Sequence, residues 1–294
     1  MAKNSAKTIL VTGATGHQGG SSLRHLKERG FTVRAVTRDP TKPAARSLTG
    51  ARTEIMRCDL NDATALARAL EGVQGVHSVQ DSAPGYESEV HQGKSLADIA
   101  NRLRINHFVY SSVGSADRNT GIPHFESKAQ IETHLRNTGL RFTIFRPVFF
   151  MENLLAMQSD VEQGTLQMPL KPATRLQLIS VDDIGAFVAM AFEHPGHWES
   201  RTMELAGDEM SMEEMAAALS RVAGRAVQYS QTPWNVFDEK AGKEVSTMFH
   251  WFDREGYHVD ISAVRQERPQ LMNFDRWLDL NWRNSKTAGR QSVA

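Results

Sequence analysis

The chain has 294 residues, 40% hydrophobic and 23% charged, and its 34 Lys+Arg balance 34 Asp+Glu. That length can bury a core without staples, and zero net charge leaves no global field to draw in nucleic acid or an anionic membrane. A lone cysteine, Cys58, excludes an intrachain disulfide and fits a reducing compartment.

Met1–Lys7 is polar and runs straight into a strand, so no signal peptide is expected and the cytoplasm is the expected location. No run approaches the roughly 18 apolar residues that span a bilayer. Thr8–Thr12 (TILVT) is a continuous β-favouring run, as for a parallel strand covered on both faces. A helix follows with Leu23 and Leu26 inward and Gly30 as its stop. The spacing then predicts a strand at 31–37, a helix at 43–48 and a strand at 53–57, with Cys58 a buried small hydrophobe beside it. Asp62 caps a helix over 63–70 that Gly72 closes. A strand at 75–79, a helix at 87–104, a strand at 105–111, a helix at 123–137 and a strand at 140–146 complete the alternation. This rhythm predicts an α/β fold with a doubly wound parallel Rossmann sheet.

After Pro147 the rhythm loosens. Short β-like pieces at 176–179, 202–205 and 227–230 alternate with helices at 182–193, 212–222 and 235–252, and the tail from Ser285 to Ala294 reads as frayed. The expected division is therefore 1–150 for the Rossmann domain and 151–294 for a smaller mixed α/β C-terminal lobe, partly interleaved with the sheet. Asp182 and Asp183 are expected as an N-cap, not a catalytic carboxylate pair. Trp234, Trp251, Trp277 and Trp282 are expected in the core of the lobe. Met210, Met212 and Met215 are read as packing.

The chemistry begins at Gly13-Ala-Thr-Gly16-His-Gln-Gly19, between the first strand and first helix. A phosphate pair must approach the backbone closely there, and a Cβ would block it. The helix then offers unpaired N–H groups and a positive dipole end to a pyrophosphate. The second strand ends at Thr37-Arg38, about 20 residues on, where NAD sites place an acid for the ribose 2′-OH. A guanidinium instead pairs with a 2′-phosphate. Arg38, with Lys42 as a second cation, therefore predicts NADP(H). Asp39 points the other way if the strand alternation persists.

The motifs GATGHQGG (13–20), VTRDPTKPAA (36–45), QGKSLADIA (92–100), HFVYSS (107–112), PHFESK (123–128) and FRPVFFMENLL (145–155) stand in one order along the chain. Together they resemble the NmrA-like family of atypical extended short-chain dehydrogenase/reductases, in particular its NADPH-sensor branch. The resemblance implies that Gly13, Thr15, Gly16, His17, Gln18 and Gly19 form the pyrophosphate loop and that Arg38 holds the 2′-phosphate. It implies that Asp59 and Leu60 meet the adenine, Gln80 approaches a ribose and Lys128 bonds the nicotinamide ribose. Pro147, Phe150 and Asn153 would line the nicotinamide pocket. Ser111 or Ser112 stands where the superfamily keeps a substrate-polarising hydroxyl; either could equally cap the loop.

Ordinary superfamily members use a Tyr four residues before a Lys, on one helix face. None of the four tyrosines (Tyr86, Tyr110, Tyr229, Tyr257) has its lysine; the pair here is His124 and Lys128. An imidazole beside an ammonium is pushed toward its neutral form, which puts alcohol–ketone chemistry in doubt. His124 is left with three roles: orienting the cofactor, acting as a general acid, or packing. The function expected is a redox sensor that reads the NADPH/NADP⁺ balance through a protein partner. The alternative is an NADPH-dependent reductase of quinone-like or other conjugated acceptors, and a third is a structural subunit that keeps the nucleotide for stability. No zinc-ligand spacing and no basic recognition helix is present, so neither a metal nor nucleic acid is expected. Helices 87–104 and 123–137 offer a face for a homodimer.

Overall fold

Five βα repeats lay down the first sheet before the pattern changes. The computed structural model describes residues 7–282 apart from 82 and 84; the tail expected to fray over 285–294 lies outside the described residues. In chain order come β1 (Thr8–Val11), α1 (His17–Glu28), β2 (Thr32–Thr37), α2 (Pro43–Arg46), β3 (Thr53–Arg57), α3 (Ala63–Leu70), β4 (Gly75–Ser78), α4 (Tyr86–Arg102), β5 (His107–Ser111), α5 (Pro123–Arg136) and β6 (Phe142–Pro147). Then come β7 (Phe149–Phe150), a 3-10 turn (Met151–Met157), α6 (Gln158–Glu162), β8 (Thr165–Met168), β9 (Arg175–Ile179), α7 (Val181–Glu193), α8 (Pro195–Trp198), β10 (Arg201–Leu205) and β11 (Asp208–Ser211). The chain continues through α9 (Met212–Ala223), β12 (Gln228–Gln231), α10 (Trp234–Ala241), α11 (Lys243–Arg254), α12 (Ile261–Glu267), α13 (Phe274–Trp277) and a π turn (Leu278–Trp282).

The strands form a seven-stranded sheet in the order β10-β6-β5-β4-β1-β2-β3. Every pairing from β3 to β6 is parallel. The 3-2-1-4-5-6 order is the doubly wound Rossmann arrangement, which places the chain reversal, and so the ligand crevice, at the carboxyl ends of β1 and β4. Leu10, Val76, Phe108, Tyr110 and Ile144 pack on one face with residues of α3, α4 and α5. On β6, Phe145 contacts Phe187 and Trp198, with ring centroids 5.8 and 5.2 Å away.

The chain divides into two compact units. The first comprises 1–119, 123–146 and 181–203; the second comprises 120–122, 147–180 and 204–294. Within the second, β11-β9-β7 form one small sheet and β12-β8 another. Its core gathers Phe149, Phe249, Phe252, Trp251 and Tyr257 in edge-on or tilted ring contacts. Trp251, Trp277 and Trp282 are buried there as expected, whereas Trp234 is half-buried and stacks on His250 at 3.9 Å. Met212 and Met215 are fully buried.

Two expectations are corrected. The helix predicted over 235–252 is two helices, because Gly242 between them has φ +75°, a left-handed conformation that ends one helix and precedes the next. Asp182 is not an N-cap: α7 already begins at Val181, and the Asp182 carboxylate reaches across to His25 of α1 at 2.9 Å and to Arg24. By contrast, Asp62 caps α3 as read from the sequence, accepting from the N–H groups of Thr64 and Ala65 at 2.9 and 3.0 Å.

Candidate functional site

The glycine turn is built by sterics. Gly13 has φ +60°, and the Gly16 N–H donates to its carbonyl at 2.9 Å, closing the bend. A Cβ on Gly19 would lie 2.3 Å from the Gly13 oxygen and 2.8 Å from the Ala14 Cα, so α1 can start this close to the bend only with hydrogen at that place. Thr12, which sequence reasoning missed, clasps the base of the turn: its hydroxyl donates to the Val79 carbonyl at 2.8 Å and accepts from the Val79 N–H at 2.7 Å. β1 and β4 are thereby joined at their carboxyl ends.

Above that clasp, the start of α1 is electrostatically open. No side chain caps it and no acid lies in its first turn. The N–H groups of His17, Gln18 and Gly19 donate to no carbonyl among the described residues. A helix with such an end carries a partial positive charge that favours an anion. Two buried acceptors also lack partners: Oε1 of Gln18, in the first turn of α1, and Oε1 of Gln80, the residue after Val79, whose Nε2 donates to Ser78 at 2.8 Å.

Beyond β2, Arg38 and Lys42 are exposed and make no ion pair among the described residues. Asp39 is held elsewhere. Its carboxylate accepts from the Thr41 N–H at 2.9 Å and hydroxyl at 2.6 Å, and these bonds, with Lys42 and Arg57 nearby, hold it below the usual carboxylate range. Arg57 is a third cation the sequence reading overlooked; it pairs in register with Thr37, next to Arg38. Its spacing from Arg38 in sequence gave no sign of this, since only parallel pairing of β2 and β3 brings the two strand ends together. Asp59 is exposed and accepts from Asn61, while Leu60 packs on the core.

The residues at the carboxyl end of β5 differ in how free they are. The Ser111 hydroxyl is buried and lies 3.1 Å from Nε2 of His77, whereas Oγ of Ser112, also buried, has no partner. On α5, His124 and Lys128 share a face, and His124 meets the Phe125 ring edge-on at 4.8 Å. The Lys128 ammonium does not stand unneutralised beside the imidazole. It forms an ion pair with Glu89 of α4, a fully buried carboxylate that no sequence pattern singled out. Lys128 therefore does not act on His124 as the isolated like charge expected from the sequence. Pro147, Phe150 and Asn153 belong to the second unit: Pro147 is buried, Phe150 pairs with Ile179, and Asn153 is exposed on the 3-10 turn. Cys58 is buried, and desolvation together with Asp62 and Asp59 pushes its thiol up to about 11, which leaves it inert. Among the described residues no helix is long and apolar enough to cross a membrane.

Known proteins resemble this chain in sequence and in fold. The NAD(P)H azoreductase of Xenophilus azovorans is 32% identical over 223 residues, covering 75% of this chain and 76% of that protein. Among solved structures, the negative transcriptional regulator NmrA in complex with NADP superposes with a TM-score of 0.81 at 21% identity, covering 97% of this chain and 98% of that one. The NADPH-dependent quinone oxidoreductase of Escherichia coli complexed with NADPH gives 0.81 at 21% identity, covering 93% and 99%. These two share the fold. The model of the NmrA-like family matches residues 5–278, and with that match across nearly its whole length, the chain belongs to the NmrA-like family.

Proposed function

We propose that the first unit binds NADP(H) and that the protein is a redox sensor, reading the NADPH/NADP⁺ balance and passing it to a protein partner. The observation that carries the binding reading is the uncapped start of α1 over a turn that excludes a Cβ at Gly19, with Arg38 exposed one strand away and without an ion pair among the described residues. These features fit a pyrophosphate and a 2′-phosphate respectively. Gly13, Thr15, Gly16, His17, Gln18 and Gly19 would hold the first, and Arg38 with Lys42 and Arg57 the second. Asp59 and Leu60 would meet the adenine, and Gln80 and Lys128 the riboses.

The reduced nucleotide, when bound, supplies a hydride. The residues around it lack the apparatus for alcohol–ketone chemistry: no tyrosine precedes Lys128 by one turn, and the ammonium is committed to Glu89. A nucleotide held without an acid–base pair counts against alcohol–ketone chemistry and is compatible with the sensor reading. A second reading, supported by the similarity to an azoreductase, is hydride donation to a conjugated acceptor. Such an acceptor takes the hydride as a delocalised anion, and solvent water protonates it, so no protein acid is required. The unpartnered Ser112 hydroxyl, and not the His77-bound Ser111, is then the side chain available to polarise the acceptor.

The readings separate in one assay. The protein is incubated with NADPH and a panel of quinones and azo compounds while the nicotinamide absorbance is followed. Turnover above about 1 s⁻¹ establishes the reductase. No turnover, together with capture of a partner that tracks the NADPH/NADP⁺ ratio, supports the sensor.

A further inference from the structure

α4 and α5 approach each other closely, since a Cβ on Gly93 would fall 2.6 Å from Cδ1 of Ile131. One turn before Gly93 sits Glu89, fully buried. Its two oxygens have separate partners on α5: Oε2 accepts from the Ser127 hydroxyl and Oε1 from the Lys128 ammonium. The Lys128 side chain is itself only 13% exposed. An acid in the first turn of α4 complements the helix dipole, but exposed Glu87 meets that need in water. Stripping a second carboxylate of water is unfavourable unless its partner repays the loss. The burial of Glu89 therefore requires another reason.

We propose that Glu89, braced by Ser127, is a positioning residue that fixes the Lys128 ammonium for the nicotinamide-side ribose of NADP(H) and cancels its charge. The proposal rests on the NADP(H) reading above. An ammonium has three N–H donors; one is committed to Glu89, and that bond sets the directions of the other two. Fixing a flexible lysine in advance removes the ordering penalty that would otherwise fall on ligand binding. The same pairing removes the field that an unneutralised ammonium would exert on the side chain one turn earlier. Lys128 thus orients the nucleotide and does not activate the residue at 124.

The test compares two ligands by calorimetry: NADPH, and 2′,5′-ADP, which lacks the nicotinamide ribose. Glu89→Gln keeps the shape and removes the charge. NADPH affinity is expected to fall about tenfold, the scale of a charge-assisted hydrogen bond, while 2′,5′-ADP affinity stays within about twofold. Lys128→Met should lose the same amount, and the double variant no more, as for two members of one unit. Ser127→Ala, which leaves the ion pair in place, should show a smaller loss confined to NADPH, and it decides the matter if Glu89→Gln does not fold. Unchanged NADPH affinity in these variants overturns the proposal. So does a parallel loss of both ligands, which would make Glu89 a purely structural group. Wild-type protein that binds neither ligand defeats the NADP(H) reading itself, and this proposal with it.

Discussion

Arg38 is exposed at the end of β2 with no ion pair among the described residues, and its acidic neighbour Asp39 is tied to Thr41. On the proposed reading, the sign of the charge at this one position would set the preference between the two nicotinamide dinucleotides. Arg38→Asp is expected to weaken NADPH binding about 100-fold, the loss of a bidentate charged contact plus a new repulsion; competitive titration of NADPH against NADH reads it. At Gly19 the decisive quantity is a distance. A methyl group 2.3 Å from the Gly13 oxygen forces the turn apart. Gly19→Ala should abolish nucleotide binding and cost roughly 1–3 kcal/mol of stability, as overpacking does, measured by urea unfolding. The tight bend at Gly19 and the cation after β2 were legible in the sequence because their signals are local: a spacing of glycines, and a cation where an acid is usual. Glu89 was not. In a helix first turn it reads as an ordinary dipole complement, and its partner Lys128 lies 39 positions away. Nor could the sequence choose between Ser111 and Ser112, because adjacent strand residues face opposite sides and only the fold shows which side holds His77.

Helices α1 and α7 cross at close range. A Cβ on Gly185 would lie 2.2 Å from Oγ of Ser21, and Asp182 bridges to His25 and Arg24 on the same helix. The hydrogen bond from His25, acting against desolvation and helped by Arg24, holds Asp182 well below the ordinary carboxylate range. A depressed folded-state value means that the contribution to stability is complete above the unfolded value of about 3.9 and is lost as pH falls through the folded one. Asp182→Asn should therefore cost about 1 kcal/mol at pH 7, the scale of a partly exposed pair, and the gap from wild type should narrow as pH falls from about 4 to 2. Urea midpoints across that range check it. The Rossmann elements were legible because continuous apolar runs such as β1, glycine stops such as Gly30 and the Asp62 cap of α3 carry their own signals. Most of the second unit was not. Its strands are as short as Phe149–Phe150, too brief for any period to show, and the break at Gly242 is a backbone conformation, not a change in hydrophobic pattern.

The central sheet as a whole buries two histidines. His77 on β4 and His107 on β5 are 0% and 4% exposed, and desolvation lowers them to about 3 and about 4. Unfolded, each takes up its proton near pH 6.5, so at acid pH the unfolded chain binds more protons and stability falls from about pH 6.5 downward. Each histidine adds a slope of up to roughly 1.4 kcal/mol per pH unit between about 6 and 4. His77→Gln, which keeps a polar group toward Ser111, should roughly halve the combined contribution of the two histidines to that slope; an unchanged slope would show that His77 is protonated in the folded sheet. The proposed function depends on the fit between the α1 turn, the Arg38 guanidinium and one nucleotide. The direct measurement is a calorimetric titration of the purified wild-type protein with NADPH and, separately, NADH. Saturable NADPH binding in the micromolar range, with NADH at least about 100-fold weaker, is the predicted result. Equal affinity for the two, or no heat from either, would contradict it.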